Sequence, residues 1–524
     1  MISESDPKRR SRLKATVRPD AKSTIIAILV FTAVVGLRAD TITVTNTNDS
    51  GAGSLRQALV DANDGDTIDF AVTGTIGLTS GELLIDKSII IAGPGADNLA
   101  VDGNAKSRVF HIDVGMTVSI SDLTIINGSA SGQLPDGGGI YNDHATLTVS
   151  DCTLSNNSAF RNGGSIENFG ATLTLNNCVL SDNLTGNEGG GIYNDAGVDT
   201  AAVQISDSTI NGNSASFGGG ISNEPFLSPP TKGTAMLSVS DSTLSGNSGD
   251  YGGAIYTNGD FGHATATISN CTINGNSVQM RGGGIYSVVT DVPVQREGHP
   301  DRKAAPVTRH GTGTLPLTVI NSTISDNVAG VSGGAIYDHA FVAIANSTFS
   351  GNSAGSGGGI YNDGGVAPLA VEISNTVLNA GALGENIFNN GGTITSLGYN
   401  LSSDDGGGFL NGPGDQINTD PLLGPLQNNG GPTLTHQLLP GSPAIDAGDP
   451  SFTPPPLFDQ RGPGFDRVVN GRLDIGSFEV QGPTPTPTPS ATPRATPTPT
   501  ATPTPRSTPT PRPRPAPRPR PTPR

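Results

Sequence analysis

Tryptophan is absent from this chain of 524 residues, charged residues make up only 14%, and cysteine occurs three times. Scarce charge beside 72 glycines suits stacked turns and argues against a helical protein. No Lys-Ser/Thr pair follows the glycines of GGGIYND at 137–143, 189–195 or 357–363, so a phosphate loop is excluded. No amphipathic helical periodicity follows them either, which removes the dinucleotide fingerprint. Positive charge is lacking where nucleic acid would need it. Eight of the 29 basic residues lie in residues 1–39 and seven from Gln481 onward, leaving 14 against 43 acidic ones between. Such a body repels nucleic acid and could attract divalent cations, Ca²⁺ among them.

What is present is repetition. Degenerate copies of the glycine block stand at Gly163, Gly218, Gly252, Gly282 and Gly333, and the marker isoleucines Ile140, Ile166 and Ile192 are 26 residues apart. A second motif falls between the blocks, as in DCTLSNN at Asp151, NCVLSDN at Asn177 and DSTINGN at Asp207, and it always ends in asparagine. Alternating apolar stretches such as Leu147-Thr148-Val149 precede it, the period-two signature of a half-buried strand. A unit holding about three short strands cannot bury a core alone, whereas stacked units can. The fold expected is all-β: a right-handed single-stranded parallel β-helix, with ten to twelve coils from Thr41 to about Ala380.

The spacing assigns two rows of side chains. Asn157, Asn183, Asn213, Asn247, Asn276, Asn327 and Asn352 hold equivalent turn positions, where each amide can bond the next coil and where asparagine tolerates a left-handed backbone. Tyr141, Tyr193, Tyr256, Tyr286, Tyr337 and Tyr361 follow the marker residue directly, so they should point outward in one line. Exposed rings could stack sugars, or they could simply stabilise neighbouring coils. Cys152, Cys178 and Cys271 share the position that other coils give to Ser208, Ser242, Ser322 and Ser347. This suits a small inward side chain, with a Cys152–Cys178 disulfide as the alternative.

The remaining segments are irregular. Basic residues followed by the apolar run Ile25 to Leu37 mark residues 1–39 as a signal peptide, by the general or the twin-arginine route, with a core too short to span a membrane. An insertion at 287–313 carries Arg296, His299, Asp301, Arg302, Lys303, Arg309 and His310, and loops that leave a regular scaffold often carry function. From Gln481 the chain is Pro/Thr/Arg-rich, as expected of a disordered polyproline-type stalk without a membrane span.

Three resemblances add to this reading. Gly333 to Ile336 followed by Phe349 to Asn352 resembles the repeats of chlamydial polymorphic outer membrane proteins, β-helical surface adhesins; most copies here replace the Phe, as Leu154 does before Asn157. No C-terminal membrane barrel accompanies them. The segment from Thr41 (TITVTNTNDSGAGSLRQALVDAN) is similar to the N-terminal motif of CSLREA-type surface proteins, with Gly53 in place of its Cys. Residues 396–479 resemble the choice-of-anchor Q domain, which implies a bacterial surface or secreted protein. Together they imply an N-terminal cap and first coils at 40–127, repeats at 128–385, a cap at 386–480 and a tail at 481–524. The function expected is adhesion to a surface glycan or to a host or neighbouring-cell protein, without a cofactor. The alternative is a polysaccharide lyase or hydrolase, for which no residue stands out as catalytic.

Overall fold

Alternation in the sequence becomes alternation in space. The computed structural model describes residues 39–132, 135–226, 233–260, 262–289, 317–364 and 370–482. The strand Thr146–Ser150 turns Leu147 and Val149 inward, where both are fully buried, and leaves Thr146 exposed. The chain then forms Thr153–Ser155 and the short strand Ser158–Ala159 before entering Ile166–Phe169, one coil beyond Ile140–Asp143. Register is strict: Leu147 pairs with Leu173, Leu154 with Leu180, and Ile140 with Ile166 and then Ile192. Repetition of this circuit makes three long parallel sheets of 13, 12 and 11 strands among the described residues. We refer to them as the first, second and third sheets; Thr146–Ser150, Thr153–Ser155 and Ile140–Asp143 belong to them in that order. The fold is a right-handed parallel β-helix. Each inward Leu, Ile or Val stacks on its counterpart and contributes roughly 1.5–3 kcal/mol by leaving water.

Two left-handed residues per coil explain the recurring motif. Asp151 (φ 54°) turns the chain from the first sheet to the second, and Asn156 (φ 55°) turns it out of the second. Asp207 with Gly212 and Asn270 with Gly275 repeat the pair. Only Gly, Asn and Asp accept that conformation cheaply. The left-handed residue therefore precedes each ladder asparagine, which corrects the expectation that the ladder residue itself supplies it. The ladder amides do bond from coil to coil. Asn183 donates its backbone N–H to Asn213 Oδ1 at 3.0 Å and its Nδ2 to the same oxygen at 2.9 Å, and Nδ2 also reaches the Leu154 carbonyl at 3.0 Å. The same geometry links Asn157 to Asn183, Asn213 to Asn247, Asn247 to Asn276, Asn276 to Asn327 and Asn327 to Asn352, all buried. The glycine block is needed for close approach: Gly189 has φ +66°, and a Cβ on Gly190 would lie 2.3 Å from the Gly219 carbonyl oxygen.

The ends are closed by different means. A helix, Leu55–Asp61, which the strand reading did not anticipate, is capped by Ser54 and buries Leu55, Ala58 and Leu59 against the first coils. At the other end the strands Ile387–Asn389, Thr393–Gly398 and Leu401–Ser402 still belong to the helix, so the coils run past the expected boundary at 385. Leu410 and Phe409 close the core there.

The chain after Pro421 is not an end cap: it returns along the outer side of the second sheet. Thr272 Oγ1 donates to the Leu434 carbonyl at 2.6 Å, Gln460 Nε2 to the Cys271 carbonyl at 3.0 Å, and Thr323 Oγ1 to Gln460 Oε1 at 2.6 Å. Further on, the Ser477 amide donates to Thr348 Oγ1 at 3.0 Å and the Gly476 amide to the Asn375 carbonyl at 2.9 Å. The three cysteines are free and buried in the inward stack, without the alternative disulfide. Burial pushes the Cys152 and Cys271 thiols up to about 12 and that of Cys178 to about 11.

Candidate functional site

The six tyrosines share one register position on the outer face of the third sheet. The row reads Tyr141, Glu167, Tyr193, Ser222, Tyr256, Tyr286, Tyr337, Tyr361 and Phe388. They lie on a single face, as equal repeat positions require. They are not exposed: Tyr193, Tyr256 and Tyr337 are at most 2% accessible, Tyr141 is buried, and Tyr286 and Tyr361 are half-buried. The residues just before several of the glycine blocks cover them. Glu188, Phe217 and Tyr251 form their own coil-to-coil bridges and lean over the row. Phe217 lies 5.3 Å from Tyr256, Tyr251 lies 5.5 Å from Tyr286, and the Arg281 guanidinium sits 5.2 Å above Tyr337. The rings also stack on one another, at 5.3 Å for Tyr256–Tyr286 and 4.8 Å for Tyr286–Tyr337. A sugar finds no open ring face there. The expected exposure is thus corrected, while the line itself stands.

Titratable groups gather along this covered row, unannounced by any motif. Burial pushes the Glu167 carboxyl well above the usual carboxylate range, and its Oε2 has no hydrogen-bond partner. Tyr193 donates to Glu224 Oε1 at 3.2 Å, and Asn258 donates to Glu224 Oε2 at 2.6 Å. Farther along, Tyr337 donates to Asp363, and His339 Nδ1 stands 3.8 Å from the same carboxylate. The His339 imidazole beside it holds Asp363 below the usual carboxylate range. Burial pulls His339 down, but Asp363 outweighs it and raises the imidazole above its ordinary value. Burial raises the phenols of Tyr193 and Tyr337, so these groups hold protons instead of taking them. Among the described residues no three His, Cys, Asp or Glu side chains converge to hold a metal ion. Arg296, His299, Asp301, Arg302, Lys303, Arg309 and His310 of the insertion lie outside the described residues, as do residues 1–38 and the tail from 483.

Inside the same strands runs a second amide ladder that the sequence reading missed. Asn142 Nδ2 donates to Asn168 Oδ1, Asn168 to Asn194 and Asn194 to Asn223, each at 2.8 Å. Asn362 donates to Asn389 at 2.8 Å. Asp338 occupies the rung before Asn362 and has no N–H to give, so Asn362 Oδ1 is left without a partner. Full burial pushes the Asp338 carboxyl up to about 7, although the Ala340 amide, Ser287 and His339 face it.

The open site lies elsewhere. The three residues after each ladder asparagine form the short fourth side of the coils. Thr185–Gly186, Ser214–Ser216, Ser248–Asp250 and Ser277–Gln279 line a groove of about 490 Å³ across four consecutive coils. Its base is made of small residues: Thr185, Ala215, Gly249 and Val278. Its hydroxyls point along a line, with Ser248 Oγ 3.2 Å from Ser214 Oγ and Ser216 Oγ donating to the Gly186 carbonyl at 2.9 Å. The signal was present in the sequence, as the Ser-small-polar run after Asn213, Asn247 and Asn276.

Comparison with known proteins bears on the repeats. Residues 270–288, 321–338 and 346–363 match the Chlamydia polymorphic membrane protein repeat. The chain carries polymorphic membrane protein repeats. Each matched segment holds a second-motif turn together with the strand of the third sheet that follows it, or the parts of them that the described residues include. No curated protein matches the chain. Among solved structures, pectate lyase Pel9A is similar at 14% identity and a TM-score of 0.39, over 85% of this chain and 98% of the lyase. A mannuronic-acid-specific polysaccharide family 6 lyase from the human gut microbiota is similar at 12% identity and a TM-score of 0.34, over 70% of this chain and 87% of that one. Among the described residues no helix is long and apolar enough to cross a membrane.

Proposed function

We propose that the chain is an exported surface protein that binds a glycan in the four-coil groove and does not cleave it. The observation that carries this reading is the groove's lining. The hydroxyls of Ser214, Ser248 and Ser277 repeat at the coil spacing of roughly 4.8 Å, which offers a polysaccharide a like contact at three successive steps, with the Gln279 amide beside the last. Cleavage would call for two titratable groups facing one bond, one to take a proton and one to give it. Among the described residues Asp250 is the one ionisable side chain that lines the groove. The tyrosine row supports the scaffold on this reading, with its stacked rings holding adjacent coils in register. Residues 1–39 would direct export.

The test uses the full-length protein on an array of bacterial, plant and host glycans, including pectin and alginate with and without Ca²⁺. Every polysaccharide retained is then incubated with the protein while new reducing ends and unsaturated products are followed. Retention without product supports the reading. Product formation overturns its non-catalytic half and turns attention to Tyr337, His339 and Asp363, and retention of nothing refutes glycan binding.

A further inference from the structure

Resting on that glycan reading, we propose that the groove selects an uncharged polysaccharide laid along the helix axis, with the ring of Phe160 as the platform at one end. Phe160 is 81% exposed. Its ring face is therefore open to solvent, and covering it against a sugar would recover free energy. Its place is set by register: Ala159 pairs with Thr185, so Phe160 stands one coil before Gly186, which lines the groove and has no side chain to block the ring. A solvent-facing ring offers the apolar CH face of a sugar a flat surface, while the hydroxyls beyond it meet the polar edges.

Charge decides the class of glycan. Asp250 gives the groove a negative charge, and among the described residues no Lys or Arg lines it. The body around it carries 43 acidic against 14 basic side chains, so an approaching polyanion meets repulsion at long range as well as at contact. Uronate and sulfated chains are therefore disfavoured. A neutral hexose, pentose or N-acetylhexosamine chain meets the hydroxyl, amide and aromatic groups without charge repulsion from Asp250.

The experiment titrates the full-length protein calorimetrically with neutral hexasaccharides (cello-, xylo-, manno- and chito-series) and with oligogalacturonate and oligomannuronate of equal length. At least one neutral series is expected to bind at least tenfold more tightly than either uronate. Phe160→Ala is expected to weaken it by up to about tenfold, the loss of one ring platform. Asp250→Lys should narrow the preference by admitting the uronates. Circular dichroism checks that both surface variants keep the fold. Tighter binding of uronates overturns this inference and leaves the glycan reading standing. Neutral binding that neither variant alters places the site elsewhere and overturns it too. Absence of binding to every oligosaccharide and to the array refutes the glycan reading itself.

Discussion

Replacing Asp338 by asparagine should stabilise the protein, increasingly as the pH rises from about 4 to about 7. Asp338 sits fully buried at an inward rung where Asn142, Asn168 and Asn194 carry amides, and the rung after it leaves Asn362 Oδ1 unpartnered. Its carboxyl is raised from 3.8 to about 7. An acid whose folded value lies above its unfolded value binds more protons folded than unfolded between the two. Its contribution is therefore most favourable below pH 3.8 and is lost as pH rises to about 7, above which it is constant. At about 1.36 kcal/mol per unit, the loss comes to about 4 kcal/mol. Asparagine removes the titration and supplies the missing donor to Asn362. Urea unfolding of wild type and Asp338→Asn can be followed by tyrosine emission, since the chain has no tryptophan. The two should agree within about 1 kcal/mol at pH 3.5, and the variant should be more stable by about 4 kcal/mol at pH 8. A difference that is the same at both pH values, or a less stable variant at pH 8, refutes the argument.

Other changes follow from the same contacts. Asn213→Ala leaves the Asn183 N–H and Nδ2 without their acceptor and the Leu180 carbonyl without its donor, all buried. A loss of roughly 3 kcal/mol is expected in equilibrium unfolding, against less than about 0.5 for a surface change such as Thr146→Ala. Within the His339–Asp363 pair the two shifts run in opposite senses. The raised His339 contributes fully below its unfolded 6.5 and less as pH rises through its higher folded value; the lowered Asp363 contributes above its unfolded 3.8 and less as pH falls below it. Asp363→Asn should therefore destabilise by about 1 kcal/mol at pH 5–6 and by less at pH 9, read from unfolding midpoints at each pH. Buried thiols raised to about 11 or 12 should resist a thiol reagent at pH 8 in the native protein, and all three should react in denaturant. Fast labelling of the native protein would contradict their inward placement.

Contacts one coil apart were legible in the sequence because they recur at its own period. Leu147 beside Leu173, Asn183 bonding Asn213 and Tyr286 over Tyr337 all join equal positions of adjacent repeats, so an alignment of the chain with itself locates them. The restriction of two motif positions to Asp, Asn or Gly is likewise local, a matter of positive φ. Burial of the tyrosines was not legible. It depends on how sharply the Gly189-Gly190 and Gly218-Gly219 bends bring Glu188 and Phe217 back over the strand, and periodicity fixes which face a side chain leaves without fixing what folds over it. The same limit applies to Phe160 and to the hydroxyl groove, whose openness is a property of the assembled coils. The return of the C-terminal segment is farther still from local rules. Gln460 reaches Thr272 across 188 residues, and such a contact leaves no trace in spacing or alternation because neither partner repeats with the other. Period and turn chemistry set the helix; the covering of its faces, and with it which row is buried and which groove is open, was decided by packing between parts of the chain that share no period.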